Sequence, residues 1–533
     1  MEVSREGQDY HNQIKTGGKT MRDSKIWVLG MVLWVLIVAP LASAQIVKDA
    51  KLTIAIDADP GIMDPANHRA SKTEAVLRNM FDGLVVRDAD MNIRPELAES
   101  WKVIDDKTVE FKLRKGVTFH NGEKFDAEDV KFTIERLVKD GQISGKTSPR
   151  KGLMGTVTSV TIVDPYTVRI NMSKPWPILL AMLPAQQIVP KDYIEKQGSD
   201  YFAEHPVGTG PFKFVDWRKG EQVVMERYEK YYGGSPEIPP VQIAPLKTVV
   251  FKVIPEVGSR VAALLANEVQ IITAIAPHMV KQLKADPRVD VLMCDGARSY
   301  FAEMNVTKKP FDDIRVRKAM NYMFNGEVIT QTVLDNLAIP LAGILLPKHF
   351  ALNKDLKVHG YQPEKAKQLL KEAGYPNGFT FEMDCVDETK AVAEAYAMHL
   401  EEIGVKAKIR VWEVAVLREK AKNGERSFCF QFWLSSSLVP DGIIIPKLKT
   451  KDVANFSQYS NKKIDELFDL AGSTMDQEKR IKYFVEAQQI IYNDAPMVFG
   501  YAPKNIAAKR KEVKNWRPTP DDKLNLHDVF IEK

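Results

Sequence analysis

The stretch that decides the fold is "LAESWKVIDDKTVEFKLRKGVTFHNGEKFDAEDVKFTIERL", Leu97 to Leu137. Inside it Val109, Phe111 and Leu113 alternate with Glu110, Lys112 and Arg114, the two-residue period of a strand with one wet face. A tight turn through "FHNG" follows, and the period changes. From Asp126 onward Val130, Ile134, Leu137 and Val138 fall on one side of a helix, with Lys131, Glu135 and Arg136 on the other. Strand and helix in such close succession predict an α/β fold.

The same grammar extends both ways along the chain. Upstream, Thr73 is placed to cap a helix on which Leu77, Met80, Phe81 and Leu84 share a face; downstream, Val168, Ile170 and Met172 repeat the strand pattern. "YQPEKAKQLLKEAGYPNGF" opens a helix at Pro363 and stops it at Gly374, as the position preferences of proline and glycine require. A late helix starts at Asp476, turns Ile481, Phe484, Val485 and Ile491 inward, and ends before Pro496. Proline and glycine cluster at 205–211, 233–240 and 374–378, which marks turns or boundaries. A chain of 533 residues exceeds one hydrophobic core, so two or more domains are expected.

Charge excludes little but is informative. The formal net charge is only +5, with 75 basic and 70 acidic residues, so no nucleic-acid partner is called for. The N-terminus differs from the rest. "IWVLGMVLWVLIV", Ile26 to Val38, follows Arg22 and Lys25 and precedes Ala42-Ser43-Ala44, the basic, apolar and small-residue parts of an export signal. Residues 1–44 are therefore expected to be a signal peptide, with Met21 as an alternative start and cleavage near Ala44/Gln45. Retention as a membrane anchor is the competing reading, because the uncharged stretch runs on to Val47. Cys294, Cys385 and Cys429 have no CxxC spacing and permit at most one internal disulfide. None follows the apolar run, which speaks against lipid attachment there.

Motifs that would announce an enzyme are missing: there is no HExxH, GxSxG or helix-opening GxGxxG. "GQISGKTS", Gly141 to Ser148, is one residue short of a phosphate-binding loop. Histidines occur singly, so no metal site can be drawn and no cofactor is expected. His120 is read as a turn residue satisfied by backbone hydrogen bonds, because a catalytic base also needs a positioned partner.

Several blocks, in order over about 45–533, resemble one family. Leu97 to Leu137 is similar to the signature region of the extracytoplasmic solute-binding proteins of family 5, the oligopeptide, dipeptide, nickel and opine receptors of ABC importers. "PVGTGPFKFVDW" (Pro206 to Trp217), "RVAALLANEVQI" (Arg260 to Ile271), "KKPFDDIRVRKAMNYMFN" (Lys308 to Asn325) and "DQEKRIKYFVEAQQIIYNDAP" (Asp476 to Pro496) resemble its other blocks. The resemblance implies the type II periplasmic binding fold of the large cluster, two lobes with an extra subdomain and a hinge of two crossing strands. Lobe I would comprise 45–298 with that subdomain, lobe II 299–502, and 503–533 would return to lobe I. Gly208 and Gly210 in "VGTG" are expected to serve tight backbone geometry.

By the same resemblance the ligand lies between the lobes, against "NHRASK" (Asn67 to Lys72) and "FWLSSS" (Phe432 to Ser437). Trp433 would supply an apolar wall, Ser435 and Ser436 orienting hydroxyls, and His68, Arg69 and Ser71 the facing loop, with Arg69 pairing an anionic group. The alternative for Trp433 is a core side chain whose indole N–H meets a carbonyl. Peptide-binding relatives carry an aspartate where Ser436 stands, and dipeptide receptors an arginine in the region of Asp387 and Glu388. A hydroxyl does not replace a charge-assisted contact, which contributes roughly 1.5–3 kcal/mol against about 1 for a neutral one. The implied protein is a monomeric periplasmic receptor that delivers a small peptide-like, modified amino-acid or opine-like solute to an inner-membrane ABC permease, without catalysis. An exported hydrolase on the same scaffold is the rival, needing a base near Ser435 to Ser437, to which His399 is the nearest upstream histidine. A receptor for a chemosensory partner is the third.

Overall fold

The structure, a computed structural model, describes residues 45–238, 243–435 and 437–533. The signal peptide, its cleavage point and Ser436 lie outside the described residues.

One strand organises the rest. Met497–Arg510 is antiparallel to Val289–Asp295 along its second half, with Val291 opposite Ala508, and to Arg298–Met304 along its first, with Ala302 opposite Val498. It therefore belongs to two half-sheets at once. On one side it meets Ile271–Ile272, then Ala50–Ile56, which pairs parallel with Leu246–Val253, and the edge is finished by Gln222–Arg227 and Phe212–Arg218. On the other side Arg298–Met304 leads to Phe428–Leu434, Thr380–Val386 and Lys406–Trp412, the last two pairs parallel. Each half-sheet has its own buried core: Leu52, Ile54 and Phe251 pack in one, Met304, Met383 and Phe430 in the other. The chain passes between the halves at Gly296–Ala297 and at Ala502–Pro503, two crossing backbones. The result is a two-lobed α/β protein.

The sequence that announced the fold forms a separate four-stranded antiparallel sheet. Ala98–Asp105, Thr108–Leu113, Thr167–Met172 and Val157–Asp164 lie side by side in that order. Helix Ala127–Val138 covers it, and Val109, Phe111, Leu113, Val130, Ile134 and Leu137 all enter its core. Asp126 caps the helix: its carboxylate accepts from the Glu128 N–H at 2.8 Å while Asp129 accepts from the Asp126 N–H at 3.0 Å. One side chain departs from its expected place. Arg136 is not on the wet face but fully buried, donating to both oxygens of the equally buried Asp64, at 2.8 and 2.6 Å. The pair fastens the helix to the loop that leads into His68, and a buried bidentate pair satisfies charges that burial alone would forbid.

Other local expectations are met in part. The helix near Thr73 begins earlier, at Ser71, and ends at Leu77, so Met80, Phe81 and Leu84 lie beyond it rather than on its face; the Thr73 hydroxyl donates to the Pro60 carbonyl instead of capping. Asp476 caps helix Gln477–Asp494, accepting from the N–H groups of Glu478 and Lys479. Gly208 and Gly210 pass so close to Met80 that a Cβ at either would strike its backbone, which is why "VGTG" needs glycine. His120 sits in its turn between the Gly210 carbonyl and the Gly208 N–H. The three cysteines are free thiols; Cys385 and Cys429 lie on adjacent strands but point into cores on opposite sheet faces.

Gly500 tests the shared strand. The register slips there, Tyr501 facing Tyr300 and Phe499 facing Phe301, so Gly500 is the extra residue of a bulge, and a Cβ on it would meet the Tyr300 carbonyl. Gly500→Ala is expected to lower the stability measured by urea unfolding by about 1–3 kcal/mol through forced separation of the strands. An unchanged midpoint would show that the bulge yields freely.

Candidate functional site

The loop from Asp64 to Ser71 is fixed before it meets any ligand. Asp64, already held by Arg136, accepts from the Ala66 N–H at 2.9 Å, and its carbonyl accepts from the Asn67 N–H at 3.1 Å. That turn delivers His68 into a buried polar network. The Nε2 of His68 lies 3.2 Å from Arg150 Nη1, which also donates to Glu74 at 3.4 Å. Arg150 further donates to Gln186 Oε1 and the Ala185 carbonyl, and Gln187 donates to Glu74. Burial alone would raise the Glu74 carboxyl, but Lys523, Arg150 and Arg78 around it overcome that and bring it down to about 2. Burial, aided by Arg150, pulls His68 down to about 4. His68 is therefore neutral near pH 7. Since its Nε2 accepts from Arg150, the proton sits on Nδ1, which faces the Ala70 backbone without a well-formed hydrogen bond.

A cavity of about 140 Å³ opens against this network. His68, Arg69, Ser71, Arg150 and Lys523 wall it on one side, and Leu434 and Ser437 close it from the end of strand Phe428–Leu434 on the other. Both lobes thus contribute. A contact beside the cavity joins them directly: Arg87 donates to the carbonyls of Ser437 at 2.9 Å, Ala181 at 2.8 Å and Met91 at 2.8 Å. Met91, in the left-handed region with φ 73°, is buried with Ala297, Leu341, Leu346, Leu438 and Ala502. A larger cavity of about 380 Å³ lies around Asp82, Glu96, Tyr231 and His527, but no residue between 299 and 502 lines it. Lobe closure cannot act on a space that one lobe alone surrounds.

The six residues anticipated from sequence divide. His68, Arg69 and Ser71 line the cavity; Ser436 lies outside the described residues. Trp433 does not line it. It is half-buried between two apolar clusters of the second lobe, donates from Nε1 to the Gly442 carbonyl at 2.9 Å, and has Lys447 over its ring at 5.2 Å. Ser435 is 2% exposed and committed inward, its N–H to the Ala297 carbonyl and its hydroxyl to His349 Nε2 at 2.9 Å. Leu434 and Ser437, its neighbours, carry the contact with the cavity. Arg87, Arg150, Glu74 and Lys523 were not anticipated, because nothing in their local spacing marks them.

The Ser435–His349 pair bears on catalysis. A base does converge on the serine, from His349 rather than His399. Its polarity is reversed, however. The Leu346 N–H donates to His349 Nδ1 at 2.8 Å, closer than the Leu346 carbonyl at 3.3 Å, which favours the tautomer with the ring proton on Nε2 and donated to the serine oxygen. In that tautomer the imidazole does not accept the serine proton, no carboxylate among the described residues hydrogen-bonds it, and burial pushes it down to about 4. The region where dipeptide receptors place an arginine is occupied as well: Glu388 accepts from the Tyr300 hydroxyl at 2.5 Å and from Arg298 at 3.2 Å, while Arg298 also lies 3.6 Å from Asp522.

A two-lobed protein whose hinge strands are shared and whose cavity needs both lobes belongs to the class of solute-binding receptors. The sequence comparisons make this specific. Residues 92–455 match the family described as bacterial extracellular solute-binding proteins, family 5 Middle, and the chain belongs to that family. The chain is 29% identical to the dipeptide-binding protein of Escherichia coli K12, over 82% of this chain and 86% of that one. It is 28% identical to the glutathione-binding protein GsiB of Salmonella paratyphi A, over 90% and 94%. Among solved structures it is similar to the periplasmic binding protein DppA of Helicobacter pylori in complex with the peptide STSA, at 29% identity and a TM-score of 0.77, covering 91% of this chain and 99% of that one. The protein is thus a substrate-binding receptor of ABC importers.

Two measurements test these placements. Trp433→Ala is expected to cost about 3 kcal/mol in chemical unfolding, the penalty of truncating a packed tryptophan. In ¹⁵N-histidine NMR, His349, assigned through a His349→Gln variant, should carry its proton on Nε2 and stay neutral from pH 8 to 5. A signal titrating near 6.5 would restore the hydrolase reading.

Proposed function

We propose that this chain is exported by cleavage near Ala44, resides in the periplasm as a monomer, and captures a small solute for an inner-membrane ABC permease. Its lobes would be 45–298 with 503–533, and 299–502. Those limits are supported by the two backbone crossings, at Gly296–Ala297 and Ala502–Pro503, where the pairing partner of the shared strand changes. The site is the cavity between His68, Arg69, Ser71, Arg150 and Lys523 and the end of strand Phe428–Leu434. The observation that carries the reading is that Leu434 and Ser437 reach this cavity from the other lobe, so a bound solute gains contacts only when the lobes are together. Ligand and closure are then linked, because a ligand shifts the equilibrium by its differential affinity for the closed form.

The relatives' names point to dipeptides and glutathione, so the solute is placed among peptide-like and modified amino-acid or opine-like molecules. The protein has no catalytic role in this reading; the reversed Ser435–His349 hydrogen bond supports that. Screening peptides, opines, sugars and metal chelates by thermal shift, with small-angle scattering on each hit, provides the test. A hit should raise the melting temperature and reduce the radius of gyration. Leu434→Trp, which fills the cavity from the second lobe, should weaken the hit at least tenfold while leaving the unliganded unfolding midpoint in place. Turnover of a peptide or ester by the purified protein, or normal uptake of the hit by a deletion strain, would defeat the proposal.

A further inference from the structure

The charge inside the cavity does not balance. Arg69, Arg78, Arg87, Arg150 and Lys523 line it, against two carboxylates, Glu74 and Asp521. The imbalance deepens when the partners are followed. Glu74 is consumed by Arg150 at 3.4 Å, by Arg78 at 4.0 Å and by the Gln187 amide. Asp521 accepts from the Thr519 hydroxyl at 2.7 Å, and among the described residues no cation lies within ion-pair distance of it. Arg87, 8% exposed, spends its hydrogen bonds on three carbonyls and touches no carboxylate. Lys523 is the extreme case. It is 7% exposed, the one hydrogen bond of its ammonium is to the Ser71 carbonyl at 3.5 Å, and among the described residues no carboxylate lies within ion-pair distance of it.

A buried ammonium in that position is expensive: removing water from a charge costs several kcal/mol unless a counter-charge and hydrogen bonds replace it. Burial accordingly draws the Lys523 ammonium below its usual range, with Glu74 and Asp521 acting against that. His68 adds a buried Nδ1–H that has only the Ala70 backbone beside it and no well-formed hydrogen bond. Five cations against two carboxylates thus sit on one small cavity, carried mainly by the loop at 68–71, the segment at Arg87, the turn at Arg150 and the C-terminal return. Because they come from four separate segments, they suit negative groups at more than one point of a molecule.

We infer that the solute is a small organic anion bearing two or more carboxylates, one of which completes Lys523. The inference rests on the cavity being the ligand site. It follows that Lys523 serves binding energy rather than folding, in the sense that its removal relieves the empty protein. Exclusion of ordinary zwitterionic dipeptides comes with it, since an α-ammonium would enter a cavity that already holds surplus positive charge.

The test is calorimetry and thermal shift on the purified receptor with succinate, glutarate, citrate and N-carboxyalkyl amino acids. Butyrate, glutaramide, Ala-Ala, glucose and inorganic phosphate serve as contrasting probes. At least one polycarboxylate should bind, with glutaramide and Ala-Ala at least tenfold weaker. Lys523→Met should melt at the same temperature or higher when empty, and should lose tenfold or more in affinity for the polycarboxylate; a lysine kept for structure would melt lower. Arg69→Gln, at an exposed position that leaves folding undisturbed, should also weaken the polycarboxylate. Unchanged affinity in both variants would overturn the inference, as would preference for phosphate. Closure by Ala-Ala or glucose alone would overturn it while leaving the receptor reading intact; closure by no probe of any charge would remove both.

Discussion

Everything in this molecule hangs on a strand that has two sets of neighbours. Met497–Arg510 is long enough to serve Arg298–Met304 with one end and Val289–Asp295 with the other, so neither half-sheet is complete without it. A sheet resists shear along its hydrogen bonds, and relative motion of the lobes is therefore pushed into the few residues between the two pairings. There the backbones come very close. A Cβ at Gly296 would lie 2.7 Å from the Pro503 carbonyl and 2.8 Å from Asn505 Oδ1, which explains a glycine at that crossing. Both lobes keep their own cores, and a pair of short crossings carries the change of angle.

From that constraint the site follows. The cavity is an interface rather than a hole in either lobe, and its walls are prepared to different degrees. The first-lobe wall is built in advance, from Asp64 through Arg136 to the Arg150–Glu74 network, all buried and mutually bonded. The second-lobe wall is one strand end, whose inward anchorage through Ser435, His349 and Trp433 leaves Leu434 and Ser437 free to face it. In the proposed reading, one lobe would read the solute's chemistry and the other would register its arrival.

Most of the scaffold was legible because it is written in local periodicity. The alternation at Val109 to Leu113, the caps at Asp126 and Asp476 and the helix from Pro363 are decided by residues within a turn or two of each other, and they are where the sequence placed them. Arg136 was misplaced for the same reason: on its helix it belongs to the charged face, and the partner that makes burial tolerable, Asp64, is 72 residues away. The site was half legible. The loop at His68 to Ser71 came through a family resemblance, whereas Lys523, Arg150 and Arg87 converge only in three dimensions. Trp433 and Ser435 are instructive in another way. Both have the chemistry of ligand contacts, and in the structure both hydrogen-bond inward, Trp433 to the Gly442 carbonyl and Ser435 to His349, a feature that turns on where a side chain points and not on what it is.

The three acceptors of Arg87 are all main-chain carbonyls, at Met91, Ala181 and Ser437. Ser437 alone of the three belongs to the other lobe, and since every residue type carries that oxygen, replacement of its side chain leaves the acceptor of the contact between lobes in place. The contact that joins the lobes thus makes no demand on the side chain at 437, which is left free to vary with the solute.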